Sequence, residues 1–382
     1  MPIEKINIEQ FLALAKQHPV LDVRSPGEYK HAHIPGAHSL PLFADEERKI
    51  VGTAYKQESR QKAIKIGLDF FGVKMRNMVE QVESVVSQQL AISNNSHSGL
   101  RTANCILIYC WRGGMRSAGV AWLLDLYGFK VYTLVGGYKK FRKYVLDSFK
   151  IPFQFYILGG FTGSGKTELL KSLKEKGEKI IDLEGLANHK GSAFGSIGMP
   201  PQPGQEMFEN LLATKLLEIR SQRSETGSVP TGGFIPHTFS IWLEDESQRI
   251  GLVNIPNDIW KNMRQSPVCF LDIPFEERLK HIVQEYGQLD TEKVIDAINR
   301  ISQRLGNLNA KTAILLLKEG KIIESFYILL KYYDKHYFKS LHNREGINSL
   351  LCTIKSKTTG PENTQLILSV DKKLIHSDKQ IL

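Results

Sequence analysis

The sequence predicts an α/β protein built from two parallel-sheet units in series, the second of which ends in a helical part. Three observations predict this fold. Short apolar segments alternate with helical patterns over the first 149 residues, a second series of the same kind begins at residue 150, and residues 276 to about 342 have almost continuous helical spacing. We therefore expect domains at 1–149 and 150–275, with 276–382 as a helical extension of the second.

The first unit contains segments with the length and apolarity of buried strands, at 19–25, 37–42, 104–110 and 130–135. Residues 45–90 are mostly helical and charged, the helical spacing of 118–128 ends at a glycine, and residues 136–149 have a basic helical pattern. Strands that alternate with helices in this way favour a parallel sheet covered on both faces.

The second unit has four strand-like segments, at 153–158, 178–184, 237–245 and 267–273. A glycine-rich turn and a helix that ends at Gly177 follow the first of them. The last 28 residues mix polar and apolar positions, and their pattern predicts no particular element.

Composition limits the class of protein. A chain of 382 residues with 42% hydrophobic and 24% charged residues is too apolar for wholesale disorder. None of the four cysteines belongs to a C-x-x-C pair, which argues against a disulfide framework and a structural zinc site. No apolar run approaches the roughly 18 residues that span a bilayer, and charges interrupt the N-terminal apolar positions, so we expect a cytoplasmic protein without a membrane segment.

A phosphate-binding motif follows the strand at 153–158. Residues Gly160-Phe-Thr-Gly-Ser-Gly-Lys-Thr167 match G-x-x-x-x-G-K-[ST] between a strand and a helix, where backbone N–H groups and the helix N-terminus surround a phosphate. The lysine reaches terminal phosphate oxygens and the threonine hydroxyl can ligate Mg²⁺. The motif predicts a diphosphate or nucleotide site at Gly160, Gly163, Ser164, Gly165, Lys166 and Thr167.

Acidic residues near this motif are candidates for holding Mg²⁺. Asp245 or Glu246, at the end of the strand-like segment 237–245, could act as a Walker B group does. Asp182 and Glu184 compete for the same role, and solvated acids at the end of a strand are the alternative interpretation for all four.

A second candidate site follows the strand at 104–110. In Cys110-Trp-Arg-Gly-Gly-Met-Arg-Ser117 the cysteine stands between a strand and a helix, near a helix N-terminus and two arginines, which favours the thiolate. We therefore expect Cys110 to be a nucleophile. The residues of its anion-binding loop are Arg112, Gly113, Gly114, Arg116 and Ser117, with the arginines as clamps.

This loop, together with Asp22-Val-Arg-Ser-Pro-Gly-Glu-Tyr29 and His33-Ile-Pro-Gly-Ala37, resembles the rhodanese domain, whose cysteine carries sulfur or selenium. Sulfurtransferases of that group usually have four residues between the cysteine and the loop arginine, whereas five separate Cys110 from Arg116 here. The longer loop is similar to that of cysteine phosphatases and favours a tetrahedral phosphorus group over a bare sulfane sulfur.

A rhodanese-like domain followed by a P-loop domain resembles the bacterial tRNA 2-selenouridine synthase family. The resemblance runs from about Val20 to about Leu341 and includes the strings Val51-Gly-Thr-Ala-Tyr-Lys-Gln57, Asp182-Leu-Glu-Gly-Leu-Ala-Asn-His-Lys-Gly-Ser-Ala-Phe-Gly195, Trp242-Leu-Glu-Asp-Glu-Ser247 with Ile250-Gly251, and Tyr332-Tyr-Asp334. Lys190 stands where the family pattern has arginine.

The resemblance implies a transferase that replaces sulfur by selenium at the 2-thio position of the wobble uridine of tRNA. It implies selenophosphate as the selenium donor and geranyl diphosphate as the donor of a geranyl group to that sulfur. The P-loop would then bind a diphosphate with Mg²⁺, and Cys110 would serve the selenium step. We expect no prosthetic group and a monomer, with a selenophosphate-supplying enzyme as a further partner.

The sequence specifies the residues that would contact tRNA less well than it specifies the two loops. The net charge of +10 favours a polyanionic partner, and Lys139, Lys140, Arg142 and Lys143 could contact phosphates, although a solvated helix face explains the same pattern. Tyr332, Tyr333 and Tyr337 have helical spacing and could stack a base, but this spacing is also typical of a core. The His31 and His33 pair has no patterned partner for a metal site.

Two alternative functions remain open. The first is a rhodanese-like cysteine phosphatase or sulfurtransferase with a regulatory P-loop domain, for which Asp22 is the candidate general acid. The second is a small-molecule kinase, because Asp272-Ile-Pro-Phe-Glu-Glu-Arg278 and the helices after it are similar to half of a nucleoside-monophosphate kinase.

Overall fold

The computed structural model describes residues 3–93, 105–225 and 240–369, and it divides the chain into two compact units, Met1–Ser148 and Phe149–Leu382. Each unit contains its own five-stranded sheet. Both sheets are parallel throughout, as alternating strands and helices predict.

The strands of the first unit are β1 (Glu4–Ile6), β2 (Val20–Asp22), β3 (His38–Ser39), β4 (Cys105–Tyr109) and β5 (Lys130–Leu134). Its helices are α1 (Ile8–Ala15), α2 (Pro26–His31), α3 (Asp45–Gln57), α4 (Arg60–Gly72), α5 (Met75–Ser93), α6 (Met115–Tyr127) and α7 (Gly137–Ser148).

The sheet of the first unit has the order β1-β5-β4-β2-β3, so β4 lies at its centre. All five residues of β4 are buried, which explains why its sequence is an unbroken apolar run. Helices α4 and α5 supply part of the core through Phe71, Met78, Val79 and Val82. The four strand-like segments of the sequence correspond to β2, β3, β4 and β5. The edge strand β1 was not predicted, because three residues in a charged context give no apolar run.

The strands of the second unit are β6 (Phe155–Gly160), β7 (Lys179–Ile181), β8 (Ile241–Glu244), β9 (Arg249–Ile250), β10 (Val253–Asn254), β11 (Val268–Asp272) and β12 (Leu351–Lys355). Its helices are α8 (Lys166–Glu175), α9 (Leu183–Ala187), α10 (Gln205–Glu225), α11 (Asn257–Arg264), α12 (Phe275–Tyr286), α13 (Thr291–Leu305), α14 (Asn307–Lys318), α15 (Ile322–His342) and α16 (Ile347–Leu350).

The sheet of the second unit has the order β12-β11-β6-β8-β7, with β6 at its centre, and β9 and β10 form a separate antiparallel pair. Helices α12 to α15 pack around Phe194 in a core of their own, which confirms the helical part. The expectation that residues 276–382 only extend the unit as helices needs correction. Strand β12 pairs with β11 along its whole length and returns the chain to the sheet edge.

The described part of the chain contains no helix that is both long and apolar enough to cross a membrane.

Candidate functional sites

The cysteine loop lies between the central strand β4 and helix α6, where the sequence places it. Its backbone packs closely against the start of α7: the Tyr138 N–H donates to the Cys110 carbonyl (2.8 Å) and the Lys139 N–H to the Trp111 carbonyl (3.0 Å). Gly137 permits this approach, because a Cβ there would lie 2.3 Å from the Cys110 carbonyl oxygen and φ is +56°. The close contact with the start of α7 therefore fixes the backbone conformation of the loop.

Several hydrogen-bond donors converge on the Cys110 sulfur. The thiol is buried, its Sγ lies 3.2 Å from the Ser117 hydroxyl, and the Gly114 N–H donates to it at 3.3 Å. Burial by itself raises the pKa of this thiol, but hydrogen bonds from the Ser117 hydroxyl and from the N–H groups of Ser117, Gly114 and Arg112 outweigh it, and the net pKa is lowered. Cys110 can therefore act as a thiolate nucleophile.

A carboxylate holds the clamp arginine. Arg116 donates from Nη1 to Glu28 Oε2 at 2.7 Å, and the Arg48 Nε lies 3.1 Å from the same oxygen. The Glu28 side chain is only 14% exposed. Burial raises the pKa of Glu28, but the hydrogen bond and charge of Arg116, the Ser25 N–H and the charge of Arg48 together outweigh this effect, and the net pKa is lowered. Arg116 is thus fixed in orientation, whereas Arg112 is exposed.

Asp22 does not fit the role of a general acid. It is fully buried, accepts three bonds from Arg24 side-chain nitrogens at 2.6–3.0 Å, and accepts from the Tyr109 hydroxyl at 2.7 Å. The carboxylate therefore fixes the strand β2 to β4 rather than facing a leaving group, so the phosphatase alternative loses the acid proposed for it.

The basic residues proposed for tRNA lie on α7, which begins against the cysteine loop. Lys139, Lys140 and Lys143 are exposed, and Arg142 is half-buried. The structure thus places exposed lysines on the helix that supports Cys110, within the first unit.

The phosphate-binding motif is also where the sequence predicts it, between the central strand β6 and α8. Gly160, Gly163 and Gly165 all have positive φ, which turns the loop around the helix N-terminus. The Lys166 ammonium donates to the Gly160 carbonyl at 3.0 Å, and the Ser164 hydroxyl is buried with no partner. A buried hydroxyl without a partner, beside an ammonium that donates to the loop's own backbone, is consistent with a loop shaped for an anion.

Two buried groups from the helical part anchor this loop. Arg278 donates to the Thr162 carbonyl (3.0 Å) and to both oxygens of Asp334 (2.8 Å each), so it is structural rather than phosphate-facing. The Tyr337 hydroxyl accepts from the Gly160 N–H at 3.1 Å. Arg278, the last residue of the kinase-like string, therefore supports the P-loop through the Thr162 carbonyl.

Three carboxylates meet beside the P-loop. One oxygen from each of Glu184, Glu244 and Glu246 lies within 4.8 Å of the others, the one group of three metal-type side chains among the described residues. The Thr167 hydroxyl lies 3.5 Å from Glu184 Oε2, and Glu244 Oε1 is buried with no hydrogen-bond partner. All the donors in this set are hard oxygen ligands, and one of them, Glu244 Oε1, lacks a hydrogen-bond partner. Such a set fits Mg²⁺.

The electrostatics of this acid cluster favour a bound cation. Burial and the neighbouring carboxylates raise the pKa of Glu184 to about 9 and that of Glu246 to about 8. Burial also raises the pKa of Glu244 well above its usual value. Without a cation the cluster holds protons at neutral pH, and a divalent ion would replace them.

Asp245, the first candidate for the metal, is not brought into this cluster. It accepts from the Tyr337 hydroxyl at 2.7 Å and from Arg344 at 2.5 Å. Asp182 instead caps α9, since its side chain accepts from the Gly185 N–H. Of the four sequence candidates, only Glu184 and Glu246 join the cluster, and Glu244, at the end of β8, was missed.

A cavity of about 660 Å³ opens from the P-loop. Its polar end contains the loop and the acid cluster, and Lys190 lies on its wall, paired with Glu285. The remaining wall is mixed. Its apolar and aromatic side chains come mainly from α12 and α15 and are Phe194, Ile282, Tyr286, Phe326, Leu329 and Leu330, and its polar side chains include His281, Arg304, His336 and Ser340.

The tyrosines proposed for base stacking belong to this wall or to the core. Tyr333 packs against Phe194, its hydroxyl accepts from the Ala193 N–H at 3.2 Å, and burial raises its pKa to about 12. Tyr337 is bonded to Asp245, as above. Tyr332 is half-buried, with its ring 4.4 Å from His336. The core interpretation of the tyrosine spacing is therefore the better one for Tyr333 and Tyr337.

The His31 and His33 pair does not form a metal-type group within the described residues. The His33 ring stacks on Tyr29 at 3.9 Å, and its Nδ1 lies 3.0 Å from the Tyr29 carbonyl.

Comparison with known proteins assigns both units. A family model for the rhodanese-like domain matches residues 7–144, and a model for the tRNA 2-selenouridine synthase AAA domain matches residues 153–353. These matches agree with the rhodanese-like and P-loop-like folds that the sequence predicts.

Relatives described as tRNA 2-selenouridine synthase match most of the chain. The protein from Hydrogenovibrio crunogenus is 36% identical, over 76% of this chain and 77% of the relative. The protein from Aeromonas salmonicida is 31% identical, over 85% of this chain and 88% of its own length. The protein from Pseudomonas syringae pv. tomato is 33% identical, over 78% of this chain and 79% of its own length. The chain therefore belongs to the tRNA 2-selenouridine synthase family.

Proposed function

We propose that this protein replaces the sulfur at C2 of 2-thiouridine by selenium at the wobble position of tRNA. In this proposal selenophosphate donates the selenium, and geranyl diphosphate first alkylates the sulfur. The relatives' shared description supports the tRNA substrate and the product. The two loops, one with a thiolate and one with phosphate donors, support the two donors.

A single observation carries the assignment of the P-loop to a prenyl diphosphate. The cavity that begins at the P-loop continues past a group of apolar and aromatic side chains that includes Phe194, Phe326 and Leu330, within a wall that also contains polar side chains. A prenyl diphosphate has this polarity: a doubly charged head and a hydrocarbon chain. Burial of the chain against such a wall is favourable at about 25 cal/mol per Å² of apolar surface.

Mg²⁺ would be held by Thr167 and by the acid cluster Glu184, Glu244 and Glu246. Bound there, the ion supplies Lewis-acid stabilisation of a departing diphosphate. Lys166 and the N–H groups of the loop neutralise the same leaving group.

The geranyl step then balances as follows. The 2-thiouridine sulfur attacks C1 of geranyl diphosphate, the C1–S bond forms, and the C1–O bond breaks. The diphosphate leaves with the electron pair, and the N3 proton of the base passes to solvent. The sulfur becomes a better leaving group, because it departs as a thiolate instead of a sulfide dianion.

The selenium step uses the cysteine loop. The selenium of selenophosphate attacks C2, the C2–Se bond forms, and the C2–S bond breaks to release geranylthiolate, which takes a proton. The Cys110 thiolate then attacks phosphorus, so that the S–P bond forms and the P–Se bond breaks, and the selenouridine anion that leaves takes a proton from solvent at N3. Water hydrolyses the S–P bond and regenerates the thiolate. Arg112, Arg116 and the loop N–H groups would hold the phosphoryl group.

Nucleoside mass spectrometry of tRNA tests the function. Cells that lack the gene are complemented with the wild-type chain, Cys110→Ser or Lys166→Ala, and supplied with selenium. We expect C110S to abolish selenouridine but to retain S-geranyl-2-thiouridine, and K166A to impair both products. Cys352→Ser and the exposed Lys174→Ala serve as matched controls and should retain both.

Binding measurements separate the P-loop assignment from a nucleotide. Geranyl diphosphate should bind the wild-type chain and should bind K166A more weakly. Turnover that requires ATP hydrolysis, with no binding of geranyl diphosphate, would instead support the kinase-like alternative.

A further inference from the structure

Trp111 is an exposed aromatic residue of the cysteine loop. It directly follows Cys110 in the sequence, and its side chain is 38% exposed, whereas Cys110 itself is 3% exposed. Its carbonyl accepts from the Lys139 N–H at 3.0 Å, which fixes the backbone of Trp111 against α7. A large apolar ring is thus held in solvent contact beside the buried nucleophile.

The ring of Trp111 is supported from one side. Its centroid lies 5.7 Å from that of Tyr138, with 36° between the ring planes. Tyr138 is fully buried, and the Arg24 guanidinium lies 3.8 Å from its centroid and 6.0 Å from that of Trp111. Because Arg24 is itself ion-paired with the buried Asp22, this stack is fixed in place.

The charge around Trp111 indicates the occupant of its open side. Arg112 is exposed next to it, and Lys139 and Lys140 are exposed on the helix that supports it. Proteins recognise unpaired RNA bases by stacking them on aromatic rings, with cations at the flanking phosphates. A polar protein surface would use the cations but would not need the ring.

We infer that Trp111 is the platform on which the extruded target uridine stacks while C2 reacts at the Cys110 loop. Lys139 and Lys140, exposed on α7, are the cations available to the flanking phosphates, since Arg112 is assigned to the phosphoryl group of the donor. The inference rests on the proposed function for its substrate, a uridine in single-stranded RNA, and it adds the residue that positions the base.

The test uses the full chain, selenophosphate and an anticodon stem-loop RNA that contains S-geranyl-2-thiouridine. Trp111→Ala should raise the KM for the RNA about 5- to 150-fold, the range expected for the loss of one base–aromatic stack, with a smaller change in kcat. Trp111→Phe should restore most of the affinity. Trp122→Ala removes a tryptophan of α6 that is 51% exposed and should leave KM unchanged.

A separate measurement distinguishes a binding role from a structural one. The pH profile of Cys110 alkylation by iodoacetamide should be the same in W111A and the wild type, because the stack is not among the donors to the sulfur. An altered profile, with W111F as defective as W111A, would show that Trp111 only shapes the loop.

Failure of the proposed function gives a different result. If the wild-type chain adds no selenium to the RNA, the proposed function is wrong. The stacking role of Trp111 is then tested separately, by comparing the dissociation constants of the same stem-loop for the wild type and W111A. An equal dissociation constant for W111A and the wild type overturns the inference and points to a protein partner at this surface.

Discussion

The pKa of Cys110 is set by two opposing effects, burial and hydrogen bonding, and the balance can be changed at one residue. Ser117 contributes both a hydroxyl and an N–H group to the sulfur. Ser117→Ala removes the hydroxyl, so the pKa of Cys110 should rise. The rate of alkylation by iodoacetamide at pH 7 should fall about tenfold, as expected for the loss of one hydrogen bond to a charged group.

The readout is the pH profile of alkylation, followed by mass spectrometry of the Cys110 peptide. The wild-type midpoint should lie below that of an ordinary thiol. Cys105 is an internal control, because burial raises its pKa and it should react slowly in both proteins. An unchanged profile in S117A would contradict the assignment of Ser117.

Glu28 stabilises the first unit through three donors to one oxygen: Arg116 Nη1, Arg48 Nε and the Ser25 N–H. Glu28→Gln removes the charge and leaves Arg116 without a counterion, so the free energy of unfolding should fall by about 1–3 kcal/mol. Denaturation in urea measures it. Glu80→Gln, which disrupts an exposed pair with Arg76, should leave the free energy of unfolding nearly unchanged, because solvent screens the pair.

The pH dependence of this effect has a defined sign. Because the folded-state pKa of Glu28 is lowered, its contribution is present above the unfolded-state pKa and is lost as pH falls through the folded-state pKa. The difference between E28Q and the wild type should therefore shrink in acid. A difference that stays constant down to pH 3 would show that packing, rather than charge, carries the effect.

Sequence reasoning found the residues whose position is fixed by a local motif and missed those fixed by strand register. The motifs themselves define the positions of Cys110, Lys166 and Thr167 in their loops. The choice between Asp245 and Glu244 depends on the register of β8 against β6, in which Glu244 pairs with Leu158. Successive side chains alternate between faces, so an uncertainty of one residue reverses which acid faces the P-loop.

Helix α7 acts as an element that shapes the cysteine loop from outside it. Gly137→Ala would place a Cβ 2.3 Å from the Cys110 carbonyl oxygen and 2.6 Å from the Gly113 nitrogen. The loop must move, so its donors should leave the sulfur, the pKa of Cys110 should rise, and selenouridine formation should be lost. Alkylation profiles and the tRNA assay report both effects.

Gly128→Ala is the matched control for backbone strain. Gly128 also has positive φ, +112°, but a Cβ there meets no atom within 4 Å. It should cost about 1–2 kcal/mol of stability and leave Cys110 reactivity intact. Equal loss of reactivity in both variants would mean that general destabilisation, rather than displacement of the loop, explains G137A.

Within the two five-stranded sheets, the strands that the sequence did not predict, β1 and β12, lie at sheet edges. Central strands β4 and β6 are buried throughout, and their unbroken apolar runs predict them. Strand β12 has intermediate or exposed residues at all positions but Ile354, so its pattern is diluted. Its pairing with β11 comes from contacts across about 80 residues of chain, which local periodicity does not report.

Both units place their candidate loop at the same point of the fold. Each loop follows the central strand of a five-stranded parallel sheet and leads into a helix, at the carboxyl edge where α/β proteins bind ligands. The N-terminal ends of α6 and α8 would thus face an anion in the same manner. The same fold position therefore provides two candidate anion sites of different chemistry, with a cysteine in the first loop and a lysine in the second.

With Mg²⁺ held as proposed, we expect the acid cluster to make the stability of the second unit depend on pH and on a divalent cation. The pKa of Glu184 is raised to about 9 and that of Glu246 to about 8, so their stabilising contribution is present below the unfolded-state pKa and is lost as pH rises through 8 to 9. In EDTA, the melting temperature of the wild type should therefore fall between pH 7 and pH 9.5. Glu244→Gln removes one carboxylate and should reduce this fall.

Mg²⁺ should restore the melting temperature at high pH, because it neutralises the carboxylates of the acid cluster after they lose their protons. At 100 times its dissociation constant it stabilises by about 2.7 kcal/mol, a shift of a few degrees, and the shift should be larger at pH 9 than at pH 7. E244Q should show little shift, whereas Glu168→Gln, an exposed acid on α8, should behave as the wild type. An equal shift in E244Q and the wild type would place the ion elsewhere, since Glu244 supplies the orphaned oxygen on which the site depends.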